Sequence, residues 1–212
     1  REDRGSAVRI VNILSAFKAL YPELRVIAGT APARLEQIKA LKKDVIDGAT
    51  VDFVYAENTN LPVILESRKP NLLSFAQHVH FLNWIKRNRI PLGYFYRDIR
   101  WRFPFFTSVL HGPLAHLLKP LNWIDWYIID RASDVLYLPS GEMNKWLPRP
   151  RKVDTYRALP PGFNQARCLP GSERASGKGL RLLYIGGLNK PVYSFTRALE
   201  AIYNHELIHL TL

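Results

Sequence analysis

Apolar residues recur at helical spacing near the start of the chain. Ile10, Ile13, Leu14, Phe17 and Leu20 follow Ser6, a candidate N-cap. Pro22 closes that helix, and Leu24–Gly29 reads as a strand. A second helix is expected over Ala33–Lys43, then a strand over Val51–Ala56 that ends in Glu57-Asn58. Leu72, Phe75, Val79, Leu82 and Ile85 predict a helix before Pro91, and Leu92–Tyr96 a buried strand ending in Arg97-Asp98. A helix over His116–Ala132, a strand over Asp134–Leu138, a short helix capped by Ser140 and a strand over Val153–Leu159 follow. Most of these strands are continuous apolar runs rather than alternating ones. Strands of that kind, interleaved with helices, predict a parallel sheet covered on both faces.

The periodicity then fails. Residues 164–179 hold three glycines, a proline and mixed charges with almost no apolar pattern, which marks an interdomain linker. The pattern restarts with a strand at Arg181–Ile185, a turn at Gly186-Gly187, a helix over Tyr193–Tyr203 and a strand over Leu207–Leu212. The expected organisation is therefore a first domain over 1–163, the linker 164–179, and the opening of a second domain over 180–212. A glycine-containing turn runs into the first helix at Gly5 with no strand before it, and the second domain stops after one strand–helix–strand unit. Both features predict a piece of a longer protein.

Composition narrows the class. Hydrophobic residues make up 47% of 212, enough for a core, and a single cysteine, Cys168, excludes a disulfide framework or a thiolate-rich metal site. That cysteine usage fits a cytosolic location best, and no apolar run approaches the length of a membrane span, so a soluble or peripheral protein is expected. The net charge of +12 points to nucleic acid, an anionic membrane face or phosphorylated small molecules. Much of that charge falls between Lys86 and Lys119, interleaved with aromatic residues. Within it, Arg100, Trp101, Arg102 and Phe103 predict a surface that rests on phospholipid headgroups at the inner face of the membrane. The plainer alternative is a solvated rim around a buried strand.

In an open parallel sheet, ligands bind beyond the carboxyl ends of the strands. That singles out Glu57-Asn58, Arg97-Asp98, Ser140-Gly141, Pro161-Gly162 and Gly186-Gly187. Gly5-Ser6 at a helix start offers free N–H groups to a phosphate, although a simple cap explains them as well. Gly186-Gly187 sits between a strand and a helix, with Lys190 near enough to neutralise a diphosphate. The dinucleotide fingerprint, the P-loop and metal-ligand spacings are missing, and no metal or other cofactor is expected. Core or surface roles are favoured for His78, His80, His111 and His116.

Several segments, in order, resemble retaining glycosyltransferases of family four, a group with the two-domain GT-B fold. Arg181-Leu-Leu-Tyr-Ile-Gly-Gly-Leu188, followed by Arg197-Ala-Leu-Glu-Ala-Ile202, is similar to the opening of that family's donor domain. Ala132–Ser140 and Leu159–Asn164 resemble the strand-plus-loop segments that precede it, and Pro91–Trp101 resembles the acceptor-domain strand. Gly5-Ser6-Ala-Val-Arg9 stands where the family has a glycine loop. The chain departs from the pattern at Gly187, where an arginine is usual, and at Arg97-Asp98, where some members place a histidine.

The resemblance implies an α/β protein of GT-B architecture, two Rossmann-like doubly wound parallel-sheet domains with the second incomplete. It also implies transfer of a sugar, with retention, from a nucleotide-diphosphate sugar to a glycan or lipid-phosphate acceptor. Gly186, Gly187 and Lys190 would bind the donor, Gly5 and Ser6 an acceptor phosphate, and Arg97 and Asp98 would be catalytic, with Asp98 orienting the acceptor hydroxyl or the sugar. On this reading the 212-residue chain alone transfers no sugar although its longer parent does. Two alternatives stay open: a noncatalytic scaffold of the same fold, and a basic nucleic-acid-binding module. No helix-turn-helix or zinc-finger pattern favours the second, so nucleic acid is not an expected partner.

Overall fold

The computed structural model describes residues 5–58, 61–65, 71–104, 113–160, 180–183, 200, 202 and 208–211. Local sequence explains where its helices start and stop. Helix α1 spans Gly5–Leu20, so Ser6 lies inside the helix rather than at its cap. Helix α2, Ala31–Ile46, starts where the Thr30 side chain accepts the Ala33 N–H, with a proline in the first turn, and Gly48 follows it at φ +102°. Helix α3, Leu72–Arg87, is capped by Asn71, whose side chain accepts the Ser74 N–H.

The end of α3 is a Schellman turn. Arg89 N donates to Lys86 O at 3.1 Å and Ile90 N to Ile85 O at 3.1 Å. The left-handed position of that turn, at φ 55°, is held by Arg89 rather than by glycine. Helix α4, Pro113–Ala132, is the longest at 20 residues.

Strands β1 (Val54–Glu57), β2 (Leu92–Phe95), β3 (Val135–Leu138) and β4 (Tyr156–Ala158) form one sheet in the order β1-β2-β3-β4, every pair parallel. The register pairs Glu57 with Phe95, Phe95 with Tyr137, and Leu138 with Ala158, which brings the carboxyl ends to one edge. Strands β5 (Leu180–Leu183) and β6 (Ile208–Thr211) form a second parallel pair. The expected linker and the residues that would divide the domains lie outside the described residues, as does all of the 193–203 helix except Glu200 and Ile202.

One face of the four-stranded sheet carries the core. Leu92, Tyr94 and Tyr96 with Leu136 and Leu138 pack beneath Leu82 and Ile85 of α3 and Trp126 and Ile129 of α4. Successive strand residues point to opposite faces, so Phe95 and Tyr137 face the other way. There α1 lies across the sheet, with the Phe17 ring tilted against Tyr55 at 5.2 Å and Tyr21 edge-on to Phe53 at 5.3 Å. Gly93 is small because the Tyr137 ring lies over it: a Cβ there would stand 2.7 Å from that ring.

The fold is thus α/β with a parallel sheet covered on both faces, compatible with a Rossmann-like architecture. Further expectations fail: Ser140 precedes the short helix Gly141–Trp146, but its side chain makes no capping bond. Leu24–Gly29 joins no strand: Val26 is exposed, Ala28 N donates to the Gln37 side chain at 2.8 Å, and Arg25 pairs with Asp44 of α2. The α1 stripe is only half covered, since Ile10 and Leu20 are exposed.

Candidate functional site

The carboxyl edge of the sheet gathers a charged cluster. Glu57, last residue of β1, accepts the Tyr55 hydroxyl at 2.7 Å through Oε1 and Arg97 Nη2 at 3.1 Å through Oε2. Arg97 follows β2, and its backbone N–H donates to the Asn58 side chain at 2.8 Å, while Asn58 N donates to Phe95 O at 3.2 Å. Asn58 therefore clamps the exits of β1 and β2 together and fixes where Arg97 departs.

Arg9 reaches into the same cluster from the second turn of α1. Its guanidinium lies over the Phe95 ring, 3.7 Å from the centroid. Its polar contacts are all long: Tyr55 Oη at 3.4 Å, the carbonyls of Leu159 and Pro160 at 3.5 Å, and Glu57 Oε1 at 3.6 Å. Side-chain exposure is 8% for Arg9, 14% for Glu57 and 18% for Arg97, so two cations share one carboxylate away from bulk water. Arg9 Nε and Arg97 Nε have no hydrogen-bond partner.

Buried polar groups are nearly always paired, and contacts near 3.5 Å sit at the weak limit of hydrogen bonding. The cluster therefore holds surplus positive charge and unused donor capacity, a combination suited to an oxyanion. Burial, together with the bond to Glu57, pushes the Tyr55 hydroxyl pKa upward, so Tyr55 stays a neutral donor.

Each residue expected at the site can now be placed. Arg97 is in the cluster. Asp98 is not: its Oδ1 accepts Arg100 N at 3.2 Å and its Oδ2 pairs with Arg100 Nη2 at 3.2 Å, which ties it to the first residue of the short helical turn Arg100–Arg102. Gly5 and Ser6 form the first turn of α1, one turn before Arg9, at the same edge. Gly186, Gly187 and Lys190 lie outside the described residues.

The segment expected to rest on lipid divides. Arg100 and Arg102 are exposed, but Trp101 is 3% exposed, donates its indole N–H to Tyr96 Oη at 3.1 Å, and belongs to the core. Phe103 is half-buried against Trp146. Trp101 is thus an anchor that pulls the loop after β2 onto the sheet, not a surface residue.

Sequence reasoning gave no role to Arg9, Tyr55 or Glu57. Glu57 was marked as a strand end, and that position was the available signal. For Arg9 there was none, because helical spacing does not distinguish a buried cation from a solvated one. Among the described residues no group of three His, Cys, Asp or Glu side chains is placed to hold a metal ion. Among them, too, no helix is long and apolar enough to cross a membrane.

This geometry defines an α/β protein with an underbonded cationic cluster at the carboxyl edge of a parallel sheet. No family model, curated protein or solved structure matches the chain.

Proposed function

We propose that the chain belongs to a glycosyltransferase that moves a sugar from a nucleotide-diphosphate sugar to a glycan or lipid-linked acceptor with retention. The observation that carries this reading is the Arg9–Glu57–Arg97 cluster, where unused guanidinium donors meet the first turn of α1. Sugar transfer from a diphosphate needs an anion-stabilising edge of this kind, because charge builds on phosphate oxygens as the bond to the anomeric carbon breaks. The acceptor hydroxyl oxygen bonds to that carbon on the same face, and its proton passes to the departing diphosphate.

On this reading Arg97 contacts a phosphate or acceptor oxyanion, and Glu57 and Asn58 fix its position. The N–H groups of the Gly5-Ser6 turn add dipole and donors. Asp98, held by Arg100, orients the acceptor hydroxyl or the sugar. Gly186, Gly187 and Lys190 supply the donor side. The resemblance of the ordered segments to family-four glycosyltransferases supports the same assignment. The cationic edge would serve a noncatalytic binding protein as well, so turnover is the discriminating property.

The test is a transfer assay on the full-length polypeptide, using a panel of uridine and guanosine diphosphate sugars with glycan and lipid-phosphate acceptors. Transfer should occur with at least one pair, and Arg97→Ala should lower it by about 100-fold, the usual loss when one oxyanion donor is removed. Nucleotide-sugar binding without transfer would favour the scaffold. Neither binding nor transfer would end the proposal.

A further inference from the structure

Helix α4 presents a stripe that the core does not use. At 100° per residue, Lys119, Trp123, Ile124, Tyr127 and Arg131 fall within an arc of about 140°. All five are exposed: Trp123 by 41%, Ile124 by 47% and Tyr127 by 62%, and the two cations likewise. Of the buried residues of the same helix, Trp126 and Ile129 pack into the core over the sheet. Arg102, from the turn after β2, brings a further cation to the stripe, its guanidinium 5.4 Å from the Trp123 ring centroid.

No free carboxylate faces this surface from α4. Asp125 is buried and accepts Val63 N at 2.6 Å, and Asp130 is occupied by Arg151 Nε at 2.8 Å. Beside the stripe, a shallow groove of about 210 Å³ opens between α3 and α4, with an apolar floor at Val79 and Leu82 and cations at Lys86 and Arg131.

We infer that this face of α4 lies on an anionic phospholipid bilayer, with Trp123, Ile124 and Tyr127 entering the headgroup layer and Lys119, Arg131 and Arg102 meeting lipid phosphates. The chemistry of the stripe selects that partner. Exposed indole and phenol rings prefer the boundary where one end is apolar and the other wet. Basic residues around them are drawn to an anionic leaflet, and a helix amphipathic in this manner lies in the interface plane rather than across it. Trp123 also packs 5.5 Å from Trp101, only three residues beyond Asp98, so the surface sits next to the carboxyl edge of the sheet. The inference does not depend on sugar transfer; it stands on the stripe alone.

The test is sedimentation of the protein with vesicles of phosphatidylcholine alone or with about 30% phosphatidylglycerol, at about 0.1 M and 0.5 M salt, a range over which screening shortens the reach of charge. Binding should require phosphatidylglycerol and fall at high salt. Each basic residue near such a leaflet contributes about fivefold, so Lys119→Gln/Arg131→Gln should weaken partitioning by about 25-fold. Trp123→Ser/Tyr127→Ser should weaken it too and remove the blue shift of tryptophan emission on binding. Lys119 and Arg131 are exposed, so circular dichroism and melting should be unchanged in the first pair; Trp123 also packs on Trp101, so the second pair is compared below its own melting temperature, with circular dichroism showing it folded.

Lys39→Gln/Lys43→Gln on α2 removes the same charge elsewhere and should cost little. Equal binding to neutral vesicles would overturn the inference. So would an equal loss from the α2 pair, or unaltered binding by both α4 pairs. A dimer that Trp123→Ser/Tyr127→Ser converts to monomer would show that a second copy, not lipid, covers the stripe.

Discussion

Asp125 should make the protein's stability respond to pH in an unusual direction. Its carboxylate is 8% exposed within α4 and its hydrogen bond from Val63 N only partly offsets burial, which pushes its pKa up from 3.8 to about 6. A difference of that size corresponds to about 3 kcal/mol of preference for the neutral form. The folded pKa lies above the unfolded one, so the folded state binds the proton more tightly. The contribution is therefore complete below about pH 4 and is lost as pH rises through 6. At pH 7 the ionised side chain costs the fold about 3 kcal/mol.

Asp125→Asn keeps the shape and an acceptor for Val63 N but cannot ionise. Exchange of a charged for a neutral acceptor gives back about 1 kcal/mol. The expected gain is therefore about 2 kcal/mol at pH 7, shrinking to nothing or a small loss at pH 4.

His78 works in the opposite direction. Burial first, and the nearby Arg34 second, push its pKa down to about 4, so its contribution is full above 6.5 and is lost as pH falls. In the parent the two slopes oppose each other, and stability should vary little between pH 4 and 6.5. In Asp125→Asn the His78 loss is unmasked, and stability should fall by about 3 kcal/mol over that range. The measurement is urea unfolding followed by circular dichroism at half-unit steps from pH 4 to 8. A constant offset between variant and parent across the range would refute the reasoning, because a normally titrating Asp125 would give one.

Glu57→Gln leaves two buried guanidiniums without their shared carboxylate and should cost about 3 kcal/mol, read from the same unfolding curves. Gly93→Ala drives a methyl group into the Tyr137 ring and should cost about 1–3 kcal/mol, and Gly93→Ala/Tyr137→Ala should be less destabilised than the sum of its parts. Arg89→Gly relieves a left-handed backbone at φ 55° and should stabilise by roughly 0.5–1 kcal/mol; a loss of stability would show that the Arg89 side chain makes a contribution of its own.

The elements most legible in the sequence were those whose own residues decide them. Leu92–Tyr96 and Val135–Leu138 are unbroken runs without a charged residue, and they became the two central strands. Helix α3 announced itself by its spacing and by Pro91 beyond its end. Leu24–Gly29 has the same local character as a strand, but a strand also needs a neighbour to bond, and neighbours are a property of the whole fold. Its polar contacts go to Gln37 and Asp44 of α2 instead.

The site follows the same division. Strand ends mark where a ligand lies in any parallel sheet, so Arg97 and Asp98 were visible, while Arg9 becomes part of the cluster only once α1 crosses the second face. Trp101 misled because basic and aromatic residues in one segment read as a surface, although successive residues of a 3₁₀ turn point about 120° apart, so one can enter the core while its neighbours stay in solvent.

The order of the strands has a consequence for how the chain assembles. Val54 pairs with Leu92, Gly93 with Val135 and Leu136 with Tyr156, so every strand docks beside the one synthesised just before it. Such a sheet can grow in one direction as the polypeptide emerges. Helix α1 precedes the sheet in sequence, yet the carbonyls that Arg9 reaches, on Leu159 and Pro160, come 150 residues and more later. Helix α1 is thus tied to the far end of the sheet only once β4 is in place, while Phe17 can rest on Phe53 and Tyr55 before that. Contacts formed after the transition state govern escape from the native state rather than entry to it, so Arg9→Ala should speed unfolding in stopped-flow measurements and leave the folding rate nearly unchanged.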